Sequence, residues 1–390
     1  MSRASLETFF FDDLHHVLAE RTARFARETA APIALAFERG DLDEDAAARR
    51  FVKALADEKL LALCVPAAYG GRFPALDVRS LCVARERLAY ESGFADTCFV
   101  LQGLGANPIA LAEHDALARA WLPRVAKGEA IAAFAATEPE AGSDLGAVST
   151  RARRDGGTWV LDGTKVFISN AGVADVYAVL VRTSDAPGPK GLSMLCVPAK
   201  TPGVRVPVRL RVLGPHPIGT VAFEGARVPA DHLLGEEGGG FALAMRNLDL
   251  FRATVGAAAC GLARRALDDS IAHAKRRVQF GKPLAEQQMT RAAIAEMATE
   301  LEASRLLVYR AAAAHDRGAS RVTEAVSMAK LFATEAAQRI VDRAVQLHGG
   351  LGVVEGSPVE RLYREVRALR IYEGASEIQK LVIAKHLLER

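Results

Sequence analysis

Cysteine is scarce and scattered in this chain. Its five residues, Cys64, Cys82, Cys98, Cys196 and Cys260, form no C-x-x-C pair. That spacing suits neither a zinc site nor a disulfide framework and predicts reduced, buried thiols in a reducing compartment. Charge of one sign is missing too: 50 Lys and Arg stand against 47 Asp and Glu, a formal +3. A dedicated nucleic-acid binder would carry a concentrated basic excess. The longest small-apolar stretch, Ala253 to Ala263, contains glycines and is too short to cross a bilayer. Met1-Ser2-Arg3-Ala4-Ser5-Leu6-Glu7 shows no signal or transit peptide. These absences predict a cytoplasmic protein with no membrane or nucleic-acid partner.

Common catalytic signatures are also lacking. There is no G-x-x-x-x-G-K-[ST], H-E-x-x-H or G-x-S-x-G. Gly350 to Gly356 is one residue too long for a dinucleotide fingerprint and follows a helical pattern rather than a strand. The nine histidines never cluster at metal-ligand spacing, so no metal is expected.

What is present is length and pattern. The 390 residues, half of them hydrophobic, have room for two or three domains and a large core. From Leu6 to about Lys127 apolar residues recur at helical spacing, with breaks expected near Pro32, Pro66, Pro74, Pro108 and Pro123. Near Ala130 the period changes. Trp159-Val160-Leu161, then Asp162-Gly163, then Lys165 to Ile168 predicts a hairpin with a type I′ turn. Val176–Val181, Leu192–Val197, Val204–Leu210 and Thr220–Phe223 are further strand patterns, and a β domain is expected from about Ile131 to Gly235. After Gly238-Gly239-Gly240 helices return: Phe241 to Arg277, about Leu284 to His315, and Val322 to His348 with a left-handed cap at Gly349-Gly350. The chain thus divides as an α+β multidomain protein at 1–129, 130–238 and 239–390.

Three local sequences carry candidate chemistry. Thr137 to Asp144 is either a polar turn or a loop whose amides and hydroxyls suit an anionic, carbonyl-rich cofactor. Arg276 to Pro283 is either a solvated basic helix end or a set of cations beside Phe280 that holds a phosphate and stacks on a planar ring. In Ile371 to Gln379, Glu373 between an aromatic and a glycine is a candidate general base, and Gly374 would allow close approach to the backbone. Ser376 with Gln379 fits a capping box, which is compatible with that role.

With these stretches, Trp159–Gly172, Val228–Gly235 and Gln346–Gly352 complete an ordered set along the whole chain, and the sequence resembles the acyl-CoA dehydrogenase family. The resemblance implies an N-terminal helical domain, a central β-barrel or sandwich domain, and a C-terminal four-helix bundle. It implies FAD, with Phe134 and Thr137 along the flavin, Phe167 over it and Ser169 on its linker. Ser143 would lie at the pantetheine end of the substrate or near the flavin phosphates. Arg277, Phe280 and Gln288 would reach FAD bound by a neighbouring subunit, and Gln346 with Gly349 and Gly350 would cradle its adenosine half. Asp249 and Arg252 match a D-x-x-R that contacts coenzyme A, while Tyr372 and Gly374 flank the substrate. Glu373 matches the base of most of the family. The position where a branch carries its base instead is here Phe251, which cannot accept a proton.

The implied reaction is removal of an α-proton by Glu373 and of a β-hydride to flavin N5, giving a trans-2-enoyl-CoA, with electrons passed to an electron-transferring flavoprotein. A dimer is the implied minimum and a tetramer the family habit. Four departures stand out: Ala375 where Thr is usual, Glu377 where Gln is common, Glu140 for Gly, and Leu213 to Gly219 in place of a more polar stretch. Other readings are a dehydrogenase of carrier-protein-bound thioesters, an oxidase using oxygen directly, or a non-catalytic FAD- or nucleic-acid-binding relative. Glu373 weighs against the family's monooxygenases. The pocket floor is expected from Phe99 to Ile109, including Gln102, and from Tyr372.

Overall fold

A computed structural model of the chain describes residues 7–319 and 322–389; Leu6, the expected start of the helical pattern, lies outside them. The N-terminal helices are α1 (Glu7–Phe10), α2 (Asp13–Phe25), α3 (Ala31–Glu38), α4 (Glu44–Asp57), α5 (Val78–Glu91), α6 (Gly93–Leu111) and α7 (Asp115–Ala126). Polar caps set three of these starts. Asp43 accepts from the Ala46 amide at 2.7 Å, Asp77 from Ser80 at 2.7 Å and Ser92 from Ala95 at 3.1 Å. Not every proline breaks a helix. Pro32 sits in the first turn of α3, and the chain reaches it through a π-helical turn, Ala26–Ala30, rather than a loop. Pro108 and Pro123 lie inside α6 and α7 near their C-terminal ends.

The middle of the chain forms a seven-stranded half-barrel sheet: β1 (Ala132–Ala135), β2 (Arg151–Asp155), β3 (Thr158–Ser169), β4 (Val176–Arg182), β5 (Leu192–Pro198), β6 (Val204–Leu210) and β7 (Ile218–Pro229). Its order is β1-β4-β2-β3-β7-β6, with β5 on β4. The turn expected at Asp162-Gly163 does not exist. β3 runs straight through it, paired with β7, and the register slips between Leu161 and Asp162. Gly163 is needed for another reason: at φ +146° it lies so near Thr150 that a Cβ would come within 2.8 Å of its Cα. The real hairpin turn is Gly156-Gly157, between β2 and β3.

Alternation along β4 and β5 explains why both look continuously apolar in sequence. Val176, Ala178, Leu180, Met194 and Cys196 join the core shared with the helices, whereas Tyr177, Val179, Val181, Leu195 and Val197 join a second core with Trp159 and Phe223. Strands buried on both faces have no polar face to show.

The C-terminal helical domain holds α8 (Gly240–Arg276), α9 (Gln288–Asp316), α10 (Thr323–His348), α11 (Pro358–Val366) and α12 (Ser376–Leu388). A small-residue face lets α8 serve as the central post. A Cβ on Gly256 would stand 2.7 Å from Val308 of α9, and one on Gly261 2.4 Å from the Glu86 carbonyl of α5. Between α8 and α9 a two-residue hairpin joins β8 (Val278–Gln279) to β9 (Lys282–Pro283). Gly349 ends α10 with positive φ (58°), but its ψ of −136° is outside the left-handed helical region that was expected.

Candidate active site

A cleft of about 1660 Å³ lies where the sheet, α6, the first half of α8 and the turn before α12 converge. Pockets for a single small ligand usually occupy 300–1,000 Å³, so there is room here for more than one extended ligand. Of the residues singled out in sequence, Thr137, Ser143, Phe167, Ser169, Asp249, Arg252, Tyr372, Glu373, Gly374 and Ala375 line it. Val100, Leu101 and Leu104 contribute from the expected floor. Gln102 instead is fully buried and accepts from the Ala132 amide at 3.2 Å, joining α6 to β1. Phe134 packs against the core.

Glu373 is half-buried with its backbone at φ 53°, a conformation uncommon for a residue with a side chain. Neighbours hold it there. Lys330, from the N-terminal third of α10 and fully buried, donates to the Tyr372 carbonyl at 2.8 Å and to that of Gly374. Gln379 donates to the Gly374 carbonyl at 2.9 Å, and Arg252 reaches the Glu373 carbonyl at 3.4 Å. Gly374 has φ 90°, and a Cβ on it would lie 2.6 Å from Gln379. The expected capping box is replaced: Ala375 is the N-cap of α12, and Ser376 donates to Glu335 at 2.6 Å. Gln379 reaches back to the turn carrying Glu373.

The Glu373 side chain ends in an Oε2 that is buried and has no hydrogen-bond partner within the protein. Burial pushes its carboxyl above the ordinary range, while Arg85, Lys330 and Arg252 pull the other way. Burial also lowers Lys330, to about 8. Below the turn, Arg85 of α5 and Asp96 of α6 form a bidentate pair at 2.8 and 2.7 Å, and Arg85 also donates to Thr254 of α8 at 2.9 Å. On the other side Arg252 pairs with Asp249, whose second oxygen accepts from Thr323 at 2.8 Å.

The sheet supplies the opposite wall. The Thr137–Asp144 loop is anchored by Glu138, which binds Lys165 at 2.8 Å and accepts from the Ser149 and Thr150 amides at 2.7 and 2.9 Å. Burial opposes the Glu138 charge, but Lys165 and these donors outweigh it and hold the carboxyl down at about 2. Phe167 is 62 % exposed at φ 55° and presents its ring to the cleft. Ser169 is 2.8 Å from His216 Nε2, and burial lowers that imidazole to about 4, so it is neutral.

The remaining candidates lie elsewhere. Arg277, Phe280, Gln288, Gln346, Gly349, Gly350 and Glu377 are exposed and absent from the cleft wall. Phe280 and Gly281 form the tip of the β8–β9 hairpin with φ 52° and 77°, both positive as in a type I′ turn, and the Phe280 side chain is 94 % exposed. Sequence reasoning missed Arg85, Asp96, Glu138, Lys165, His216 and Lys330. For two of them the signal was present: Arg85 is flanked by Leu81, Cys82, Leu88 and Ala89 at helical spacing, and Lys330 by Val326 and Ala333. A charge in the middle of an apolar stripe is buried for a reason.

Helical, sheet and helical blocks surround a cleft lined by several buried or half-buried carboxylates, among them Asp96, Glu138, Glu365 and Glu373, and comparison with known proteins identifies this architecture. Family models for the acyl-CoA dehydrogenase N-terminal, middle and C-terminal domains match residues 12–129, 133–227 and 238–388. The chain is 39 % identical over 376 residues to cyclohexane-1-carbonyl-CoA dehydrogenase of Geobacter metallireducens, covering 96 % of this chain and 97 % of that one. Butyryl-CoA dehydrogenase from Megasphaera elsdenii superposes with a TM-score of 0.91 at 32 % identity, over 97 % of this chain and 99 % of the other. An acyl-CoA dehydrogenase complexed with FAD from Bacillus anthracis gives 0.89 at 31 %, over 97 % and 67 %. The protein belongs to the acyl-CoA dehydrogenase family and is an oxidoreductase.

Proposed function

We propose that the protein oxidises the Cα–Cβ bond of an acyl-CoA thioester to a trans-2-enoyl-CoA, with FAD as cofactor and Glu373 as the base for the α-proton. The observation that carries this reading is the buried, unpartnered Glu373 Oε2 on a backbone turn that three side chains clamp. A carboxylate so placed has lost water and gained no partner, which favours proton abstraction near neutral pH.

The cleft's residues fit FAD: an exposed Phe167 ring to stack on a planar system, the Thr137 and Ser169 hydroxyls beside it, and a volume beyond what the acyl arm needs. When bound, FAD supplies the acceptor for the hydride leaving the β-carbon. Glu373 removes the α-proton, and its own backbone amide, on the cleft edge, hydrogen-bonds the thioester carbonyl where negative charge develops. Asp249 and Arg252 line the coenzyme A arm while tying the base turn to α8. Tyr372 and Leu104 bound the acyl group and exclude water. Electrons leave to an electron-transferring flavoprotein. The five free cysteines, all buried, support a cytoplasmic setting.

Arg277, Phe280, Gln288 and the Gln346–Gly350 corner complete the cofactor site of a neighbouring protomer, so a dimer is the minimum assembly. Their surroundings support this: Val278, Met289, Leu351 and Val353 are 54 to 81 % exposed around the hairpin and corner.

The test is anaerobic titration of FAD-loaded protein with straight, branched and cyclic acyl-CoAs, following flavin absorbance. Bleaching by one class, lost in Glu373→Gln with FAD retained, is the expected result. A flavin that stays oxidised with every thioester overturns the reading.

A further inference from the structure

A pair of histidines joins the two segments assigned above to a neighbouring protomer's cofactor site. His273, in the last turn of α8, and His348, the last residue of α10, stack with ring centroids 4.3 Å apart and planes 28° from parallel. Each is bonded to backbone beside those segments. The His273 carbonyl accepts the Arg277 amide at 2.9 Å, which sets where the β8–β9 hairpin leaves the helix. The His348 ring bonds the Ala344 carbonyl through Nδ1 at 2.8 Å, one residue before the Gly349-Gly350 corner. A carbonyl can only accept, so Nδ1 carries the hydrogen and Nε2 is the nitrogen left to protonate.

The pair sits in positive surroundings. Burial lowers the His273 imidazole, and His348 of α10 and then Arg276 and Arg277 of α8 lower it further; no carboxylate acts on it. Asp269, one turn back on α8, is committed to Arg265 at 2.9 Å, and Arg343 of α10 to Glu296 and Glu300. Both rings are half-buried, while Arg276 and Arg277 are exposed. Two neutral rings at this spacing attract, whereas two imidazolium rings repel, with no anion between them to compensate. A second proton on the pair is therefore accommodated by parting the rings, and that moves the end of α8 against the end of α10.

We propose that the His273–His348 stack is an acid-sensitive latch on the assembled cofactor site. Uncharged, it holds the hairpin and the Gly349-Gly350 corner in the register a neighbouring protomer's FAD requires; protonation of both rings parts them and releases cofactor and partner. This rests on those two segments reaching the neighbour's FAD. The sign follows from His273 lying below its ordinary 6.5 in the closed state: the open state binds more protons, so the latch is complete above about pH 6.5 and is lost as the pH falls below it.

The experiment measures the FAD dissociation constant and the assembled fraction in sedimentation at pH 8.0, 6.5 and 5.5. Wild type is compared with His273→Phe, His348→Phe, His273→Lys and Arg277→Ala. For one extra proton bound on opening, wild type weakens about 10-fold between pH 6.5 and 5.5. The two Phe variants keep a flat ring without charge and flatten that slope, and His273→Lys is weak even at pH 8.0. Burial also raises the cleft carboxyls Glu373 and Glu365, the latter to about 7, so the decision falls on the flattening rather than on the wild-type slope. A level wild-type profile, a slope retained in both Phe variants, or an equal loss at every pH in both, which marks a merely structural contact, overturns the proposal. If one Phe variant does not fold, the other decides. Arg277→Ala keeps the two failures apart: full FAD retention there at pH 8.0 removes the neighbouring-site reading itself, whereas its loss of FAD beside unflattened Phe variants removes only the latch.

Discussion

Glu373 and Phe280 share nearly the same unusual backbone, φ 53° and 52°, in opposite surroundings. The turn at Glu373 is held by Lys330, Gln379 and Arg252 from three helices. The turn at Phe280 is held only by its own two-residue hairpin, with the ring almost wholly in solvent. Left-handed backbone at a side-chain-bearing residue costs about 1–3 kcal/mol and persists where surroundings over-determine it. At Glu373 the determination is internal to the protomer. At Phe280 it is local geometry alone, which leaves the aromatic available to something outside the chain.

This contrast can be broken from either side. The largest effect is expected from Glu373→Gln, which removes the carboxyl of the first turn: flavin reduction falls about 10⁴-fold, the upper range for a general base, while FAD absorbance persists. Lys330→Met is next. It leaves the Tyr372 carbonyl without its donor in a buried site and the Gly374 carbonyl with Gln379 alone, so a loss of about 1–3 kcal/mol is expected in denaturant unfolding, together with slower reduction. At the second turn, Phe280→Gly should behave in reverse. Glycine relieves the positive φ, so thermal unfolding of the protomer is unchanged or slightly raised, by under ~1 kcal/mol. FAD retention and the assembled fraction in sedimentation are nonetheless expected to fall, and the same is expected of Arg277→Ala. Full FAD retention in Phe280→Gly would place that ring outside any cofactor site.

The loop anchor offers a smaller, pH-dependent check on the sheet side. Glu138 has a folded pKa of about 2, below the ordinary carboxylate value near 4.3, so the folded state binds fewer protons in that window. Its contribution is therefore complete above pH ~4.3 and is lost as the pH falls toward 2. Thermal melts at pH 5 and pH 3 should show a drop that is smaller in Glu138→Gln.

Much of the fold was legible in the chain because periodicity reports burial. Helical spacing located both helical regions, and the change near Ala130 marked the sheet. What misled was chemistry with two uses. Asp162-Gly163 has the composition of a hairpin turn, yet glycine is there to pass Thr150; only the position of a distant loop distinguishes the two. Pro108 and Pro123 look like breakers, but near a helix C-terminus a proline is tolerated where tertiary packing retains the last turn. At the site, Glu373 and the Thr137 loop stood out through local oddity. Lys330 was marked only as buried, by its place in an apolar stripe; its partners are carbonyls more than forty positions away, and a carbonyl has no signature in sequence. Ser376 shows the same limit: its hydroxyl serves Glu335 rather than the helix start.

The two-faced burial of β4 and β5 has a mechanical side. Every second residue of these strands is part of the helical core, so the sheet cannot swing away from the helices without tearing apolar contacts along its whole inner face. The cleft between them is accordingly a fixed gap rather than a jaw. Whatever reaches Glu373 must therefore fit a space already set by the sheet, α6 and α8, and the pace of its entry and exit becomes a property of that space rather than of any hinge.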